Sequence, residues 1–413
     1  MLNFTLFELD NGLKVIHHQD TTTPIAAVNI LYNVGAKDED PERTGFAHLF
    51  EHLMFGGSKN IPNYDSELQK ASGENNAFTN NDITNYYITL PVNNIETALW
   101  LESDRMKALD FSEHSLDVQR NVVIEEFKQR YLNQPYGDAW LKLRPLAYKV
   151  HPYRWATIGK EISHIENATL TDVKNFFYNY YGPNNAVMCI AGNISLERTK
   201  ELTNKWFGDI ARVPVKRTEI LKEPLQTDER RDTAYGKVPY DGIYMAWHAP
   251  DRVDPRFYAV ELLTNILSGS ASSRLYNRLV KEKEMFSEIH CYQTENTDEG
   301  LLIIQGKLAE GNRLESGEEA ILNELQHLLQ NGVMPSELEK VKNRKETLFI
   351  YSETEILTKA MNFSYYEYIG DATLANTEMQ KFREVSKEEV ESVSREIFRP
   401  EKRSVLYYKR EEN

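Results

Sequence analysis

The strongest constraint on the fold is a plan that the chain uses twice. The run AAVNILYN reads as a strand and leads through a Pro-containing turn into a helix, and GIYMAWHAPDRVDP leads into RFYAVELLTNILSG in the same way. Each half also closes alike: TDVKNFFYNYYGPNNAVMCIAG and KEEVESVSREIFRPEKRSVLYY are both helix, Pro-containing turn, strand. Ala26 and Val187 are 161 positions apart, and so are Tyr244 and Val405. A chain of 413 residues built on this pattern is expected to form two homologous domains, 1–210 and 229–413, joined by the charged, Pro-containing stretch 211–228. The expected fold class is α+β, with an antiparallel sheet covered by helices in each domain.

Local signals fill in the plan. FTLFEL and LKVIHH flank DNG, a hairpin signal, and YDSELQKAS reads as a short helix closed by Gly73. NNAFTN and TNYYITL read as strands around an NND turn, followed by two long helices, VNNIETALWLESDRM and SEHSLDVQRNVVIEEFKQRYLN. A net charge of −15 argues against a nucleic-acid partner. No stretch reaches the 18 or more apolar residues of a membrane span, and the N-terminus lacks the basic and apolar regions of a secretory leader. The expectation is a soluble, cytoplasmic protein. Cys189 and Cys291 cannot make a disulfide framework and read as small buried hydrophobes.

The chemistry gathers in TGFAHLFEHLMFGG. Phe46, Leu49, Phe50, Leu53 and Met54 form one apolar stripe, and Gly56-Gly57 is a stop. His48 and His52, four apart, lie on the same face and can point at one ion; imidazole nitrogens suit zinc. Glu51 sits beside that ion without having to ligate it, as the base that deprotonates a water must. The spacing H-x-x-E-H inverts the H-E-x-x-H zinc-protease motif. The plain alternative is an amphipathic helix whose polar face carries these residues. A catalytic zinc wants a third protein ligand, for which Glu125 and Glu126 on QRNVVIEEF are the candidates. His17 and His18 occupy adjacent strand positions, face opposite ways and cannot share a metal. His114 reads as a surface residue.

HLFEH followed about seventy residues later by RNVVIEE resembles the pitrilysin/insulinase family of zinc peptidases, which includes insulin-degrading enzyme and the mitochondrial processing peptidase. GENNAFTNNDITNYY, YGPNNAVMCIAGN and SSRLYNRL resemble it too, so the likeness runs over nearly the whole chain. The resemblance implies Zn2+ held by His48, His52 and Glu126, with Glu51 as the base. A further family glutamate, seven positions before the ligand, falls on Gln119. The resemblance also implies peptide substrates bound as an added β-strand, with Asn76 and Ala77 on the receiving edge. Members of this family that have lost the site act as silent scaffold or assembly subunits; the four site residues of this chain are all present.

By the internal repeat, Leu262, Asn265, Ile266 and Leu348 take the places of His48, Glu51, His52 and Glu126, so the second half is expected to bind no metal. In fully active relatives that half supplies an arginine and, seven residues on, a tyrosine after an S-R-L segment. Here those positions hold Val280 and Ser287. The resemblance therefore implies a heterodimer with a homologous, zinc-free subunit. The alternative is a homodimer or monomer that uses other residues, such as Arg278 or Tyr292.

Overall fold

A computed structural model describes residues 2–411. Its strands are β1 (Thr5–Glu8), β2 (Lys14–Gln19), β3 (Ile25–Tyr32), β4 (Glu74–Thr79), β5 (Thr84–Pro91), β6 (Ala186–Gly192), β7 (Arg230–Gly236), β8 (Gly242–Ala249), β9 (Phe286–Gln293), β10 (Gly300–Leu308) and β11 (Ser404–Arg410). The first five helices are α1 (Phe46–Leu53), α2 (Tyr64–Lys70), α3 (Ile95–Lys107), α4 (Glu113–Phe127) and α5 (Ala139–Ala147). The strands form two sheets, ordered β1-β2-β6-β3-β5-β4 and β7-β11-β8-β10-β9. With β1 set aside, the two orders match strand for strand, as the repeat in the sequence requires.

The sheets are mixed rather than wholly antiparallel. All pairs are antiparallel except β2 with β6 and β7 with β11. The strand that closes each half inserts between the first two long strands of that half. Those two run in opposite directions, so the inserted strand is antiparallel to one and must be parallel to the other.

Every residue of β6, and all but the first of β3, is buried. A strand covered on one face alternates between buried and exposed, so unbroken burial means cover on both faces. The chain supplies it by exchange. Two compact units form, one from residues 1–127, 155–220 and 350–377, the other from 128–154, 221–349 and 378–413. In the first unit the helix Ile356–Tyr368 lies on β3 and β6. Its Ala360, Phe363 and Tyr366 pack with Ile16, Ala27, Val187, Cys189 and Ala191. The Phe363 ring sits 5.0 Å from Phe4 and 5.4 Å from His18, and Lys359 Nζ lies 2.7 Å from Asp20 Oδ2. In the second unit α5 lies on β7, β8 and β11, where Ala139 and Leu143 meet Tyr244, Ala246, Leu406 and Tyr408. The division of the chain at 211–228 contains neither of these exchanged segments. Among the described residues, no helix is long and apolar enough to cross a membrane.

Candidate metal centre

Helix α1 is keyed into the first unit by its aromatic residues. Phe50 stacks on Phe177 and Tyr181, with ring centroids 5.9 and 4.9 Å away, and also meets Phe176, 5.4 Å distant. Phe46, Ala47, Leu49 and Leu53 are buried on the same helix. With that stripe fixed, the 100° step per residue leaves His48, Glu51 and His52 on the remaining, half-buried side.

Helix α4 runs against α1 and brings Glu126 to them. Its Oε2 lies 3.7 Å from His48 Nε2 and 3.4 Å from His52 Nε2. Among the described residues these three form the one group of metal-ligating side chains whose donor atoms all fall within 4.8 Å of one another. The donor set fits zinc: bonds of about 2.0–2.1 Å in a tetrahedron put neighbouring ligand atoms about 3.4 Å apart. The side chains of His48, His52 and Glu126 keep 13%, 24% and 18% of their surface exposed. Partly exposed, the three side chains leave the point they share within reach of a further, non-protein ligand. Glu125, the other candidate, is exposed to solvent, and Gln119 is half-buried on α4.

Glu51 lies close enough to Tyr86 and Tyr181 to act on both phenols. Burial chiefly holds each of them protonated, and the Glu51 charge adds to it. Beneath them Arg105 is enclosed by the Tyr86, Tyr64 and Phe55 rings, 4.4, 4.8 and 5.6 Å from its guanidinium carbon. Its Nε donates to Glu102 at 2.9 Å, and Tyr64 donates to the same carboxylate at 2.8 Å. This buried array under α1 gave no signal in the sequence beyond an apolar-polar mixture in α3.

Strand β4 is the outer strand of its sheet, next to α1. Asn76 and Ala77 pair on one side with Tyr87 and Tyr86. The Ala77 N–H donates to the Asn76 Oδ1 at 2.8 Å, so the carboxamide caps a backbone donor of this edge strand.

The remaining sequence candidates are engaged elsewhere. His17 Nε2 meets the Ile194 carbonyl at 2.9 Å and His18 Nδ1 the Asn3 carbonyl at 2.7 Å, while His114 is exposed. In the second half Leu262 and Ile266 are core residues and Leu348 is 54% exposed. There the Lys345–Glu261 ion pair, 3.0 Å long, ties helix Phe257–Ser268 to helix Pro335–Ser352. Val280 packs against the core of its unit, and Ser287 donates to the Lys307 carbonyl at 3.2 Å. Tyr292 donates to Gln305 at 3.2 Å, and Arg278 pairs with Glu282 at 3.1 Å. Sequence reasoning also missed Glu39, a buried carboxylate that accepts from the Gly45 and Ala47 amides at the start of α1.

Comparison with known proteins agrees with this arrangement. The description "Insulinase (Peptidase family M16)" matches residues 14–140, and "Peptidase M16 inactive domain" matches 167–345. The chain is 29% identical over 414 residues to "Zinc protease PqqE" of Helicobacter pylori, covering 97% of this chain and 91% of that protein. It is 25% identical over 399 residues to "Uncharacterized zinc protease YmxG" of Bacillus subtilis, covering 95% of each. Among solved structures, that of a protease from Helicobacter pylori superimposes with a TM-score of 0.94 at 27% identity, over 99% of this chain and all of that one. A half that carries the inverted motif, a half that keeps the same strand order without it, and matches of both halves to the corresponding family domains lead to one assignment: the chain belongs to the pitrilysin/insulinase family of peptidases, family M16.

Proposed function

We propose that this chain is a zinc-dependent endopeptidase acting on peptides or unfolded segments. The observation that carries the reading is the meeting of His48, His52 and Glu126 around one point, with Glu51 on the same helix and an open sheet edge alongside. Zinc, when bound, would polarise the scissile carbonyl and lower the pKa of the attacking water. Glu51 takes the proton from that water as its oxygen bonds to the carbonyl carbon. It then hands the proton to the amine nitrogen as the C–N bond breaks, releasing an acid and an amine. The substrate lies as an added strand along β4. Its backbone displaces the Asn76 carboxamide from the Ala77 N–H, and the main-chain bonds supply affinity with little demand on sequence. Zinc content of the purified protein, with cleavage of an unfolded peptide before and after chelation, tests the reading. Cleavage that is unaffected when the metal is removed would overturn it.

The partner in this reading is a homologous, zinc-free subunit. It is supported by Val280 and Ser287, which are tied into their own unit and carry neither a guanidinium nor a phenol. A homodimer is the alternative. A silent scaffold role is disfavoured by the convergence of the three ligand atoms.

A further inference from the structure

Helix α1 begins without a cap of its own. Its N-cap residue is Gly45, at φ +90°, where an added Cβ would come within 2.7 Å of both the Ile158 carbonyl oxygen and Ile165 Cδ1. The Ser, Thr, Asp or Asn that ordinarily caps a helix is therefore excluded from this position, and no acidic residue lies in the first turn. The amides that a helix leaves open at its start still need acceptors. Glu39, six residues upstream, serves two of them: Oε2 accepts from the Gly45 N–H at 2.9 Å and Oε1 from the Ala47 N–H at 2.8 Å. The residue is only 6% exposed. Both carboxylate oxygens are thus committed to the backbone that leads directly into His48.

We propose that Glu39 is a positioning residue of the metal centre, whose two bonds to the start of α1 set the roll of the helix and so the aim of His48, Glu51 and His52. The inference rests on reading the site as a zinc centre. The lever is long. A histidine nitrogen lies roughly 6–7 Å from the helix axis, so a 10° roll displaces it by about 1 Å. Metal–ligand distances tolerate about 0.2 Å. The nearest ligand is one residue beyond the clamped Ala47 amide, too close for the helix to absorb such a roll.

Burial also gives Glu39 a titration that a glutamine in its place would lack. Burial pushes its carboxyl up to about 8, against the pull of the Ala47 and Gly45 amides and the Trp155 indole, with Asp38 pushing further. The charges around it are mostly mutually engaged: Arg43 pairs with Asp172, Arg217 with Asp38, and His164 Nδ1 accepts from the Thr44 N–H at 3.1 Å. Asp40, next in the chain, is exposed and accepts from the Glu42 N–H at 2.9 Å. Ionised, Glu39 offers a full acceptor to each amide; protonated, it keeps one.

The test compares the full-length protein with its Glu39→Gln variant by competition titration of zinc into the metal-free chain from pH 6.5 to 9, with thermal unfolding as the check on folding. The amide keeps one acceptor and does not titrate. The variant is expected to bind zinc about tenfold more weakly at pH 8.5, with the deficit shrinking towards pH 6.5 as wild-type Glu39 takes up its proton. Equal affinities at every pH, or a deficit that does not change with pH, would overturn the inference. A wild-type chain that takes up no zinc would instead sink the zinc reading. The proton chemical shift of the Ala47 amide in the metal-free wild type then decides on Glu39, as it also does where the variant does not fold. It should titrate with a midpoint near pH 8, and a flat profile overturns the proposal.

Discussion

His52 and Glu126 meet across two helices, with 3.4 Å between Nε2 and Oε2, while Glu125, one position earlier on the same helix, faces solvent. Neighbouring carboxylates on a helix point about 100° apart, so only one of them serves the site. Glu126→Gln should lose bound zinc, and Glu125→Gln should keep wild-type content. Elemental analysis of the two purified variants checks this, and the reverse pattern would reassign the ligand.

Glu51 sits between the two histidines in sequence without joining the group of ligand atoms. Glu51→Gln should therefore retain zinc yet lose about 10²- to 10⁴-fold in peptide hydrolysis, the usual range for a positioned acid–base group. Retained zinc with near-normal turnover would remove Glu51 from the role of base.

The raised carboxyl of Glu39 predicts a particular pH dependence of stability. Its folded value of about 8 lies above the ordinary 4.5, so the native state binds this proton more tightly than the unfolded chain does. The associated stability is fully present below pH 4.5, is lost as the pH climbs towards 8, and changes no further above it, at most about 1.4 kcal/mol per pH unit. Urea midpoints at pH 5 and 8.5 should fall more between the two for wild type than for Glu39→Gln. Equal falls would mean that Glu39 ionises near its ordinary value.

Phe363 has no exposed surface and lies between Phe4 and His18 on the first sheet. Phe363→Ala should cost about 3–5 kcal/mol in urea unfolding, the range for a fully buried aromatic. A cost under about 1 kcal/mol would show that the exchanged helix contributes little to holding that unit together.

Assayed alone on unfolded peptides, the chain should cleave weakly, and a co-expressed homologue carrying an arginine and tyrosine at the positions of Val280 and Ser287 should restore activity. Removing that arginine should abolish the gain. Vigorous zinc-dependent cleavage by the chain alone would exclude the need for a homologous partner.

Much of this was legible in the sequence where a local rule governed it. The twofold plan anticipated two sheets of matching order, and the apolar stripe of α1 left His48, Glu51 and His52 on its other side. What was hidden depended on residues distant in the chain. Unbroken apolar runs such as AVMCIAG require cover on both faces, but nothing in their composition says which helix provides it. Periodicity likewise cannot reveal that the closing strand inserts between two earlier ones, and so the parallel pairs were not foreseen. The cap on α1 escaped because a remote carboxylate has no fixed spacing from the helix it serves. Its one trace is Gly45, standing where a capping side chain was to be expected.

The exchange of helices has an evolutionary corollary. A single ancestral half would have carried one such helix and one uncovered sheet face, and two copies satisfy each other by trading helices, as in a domain-swapped dimer. Duplication followed by fusion would then preserve the trade inside one polypeptide. A gene split within 211–228 should restore two products that must be made together, since each alone leaves apolar residues such as Ile16, Val187 and Ala191, or Ala246 and Leu406, open to water.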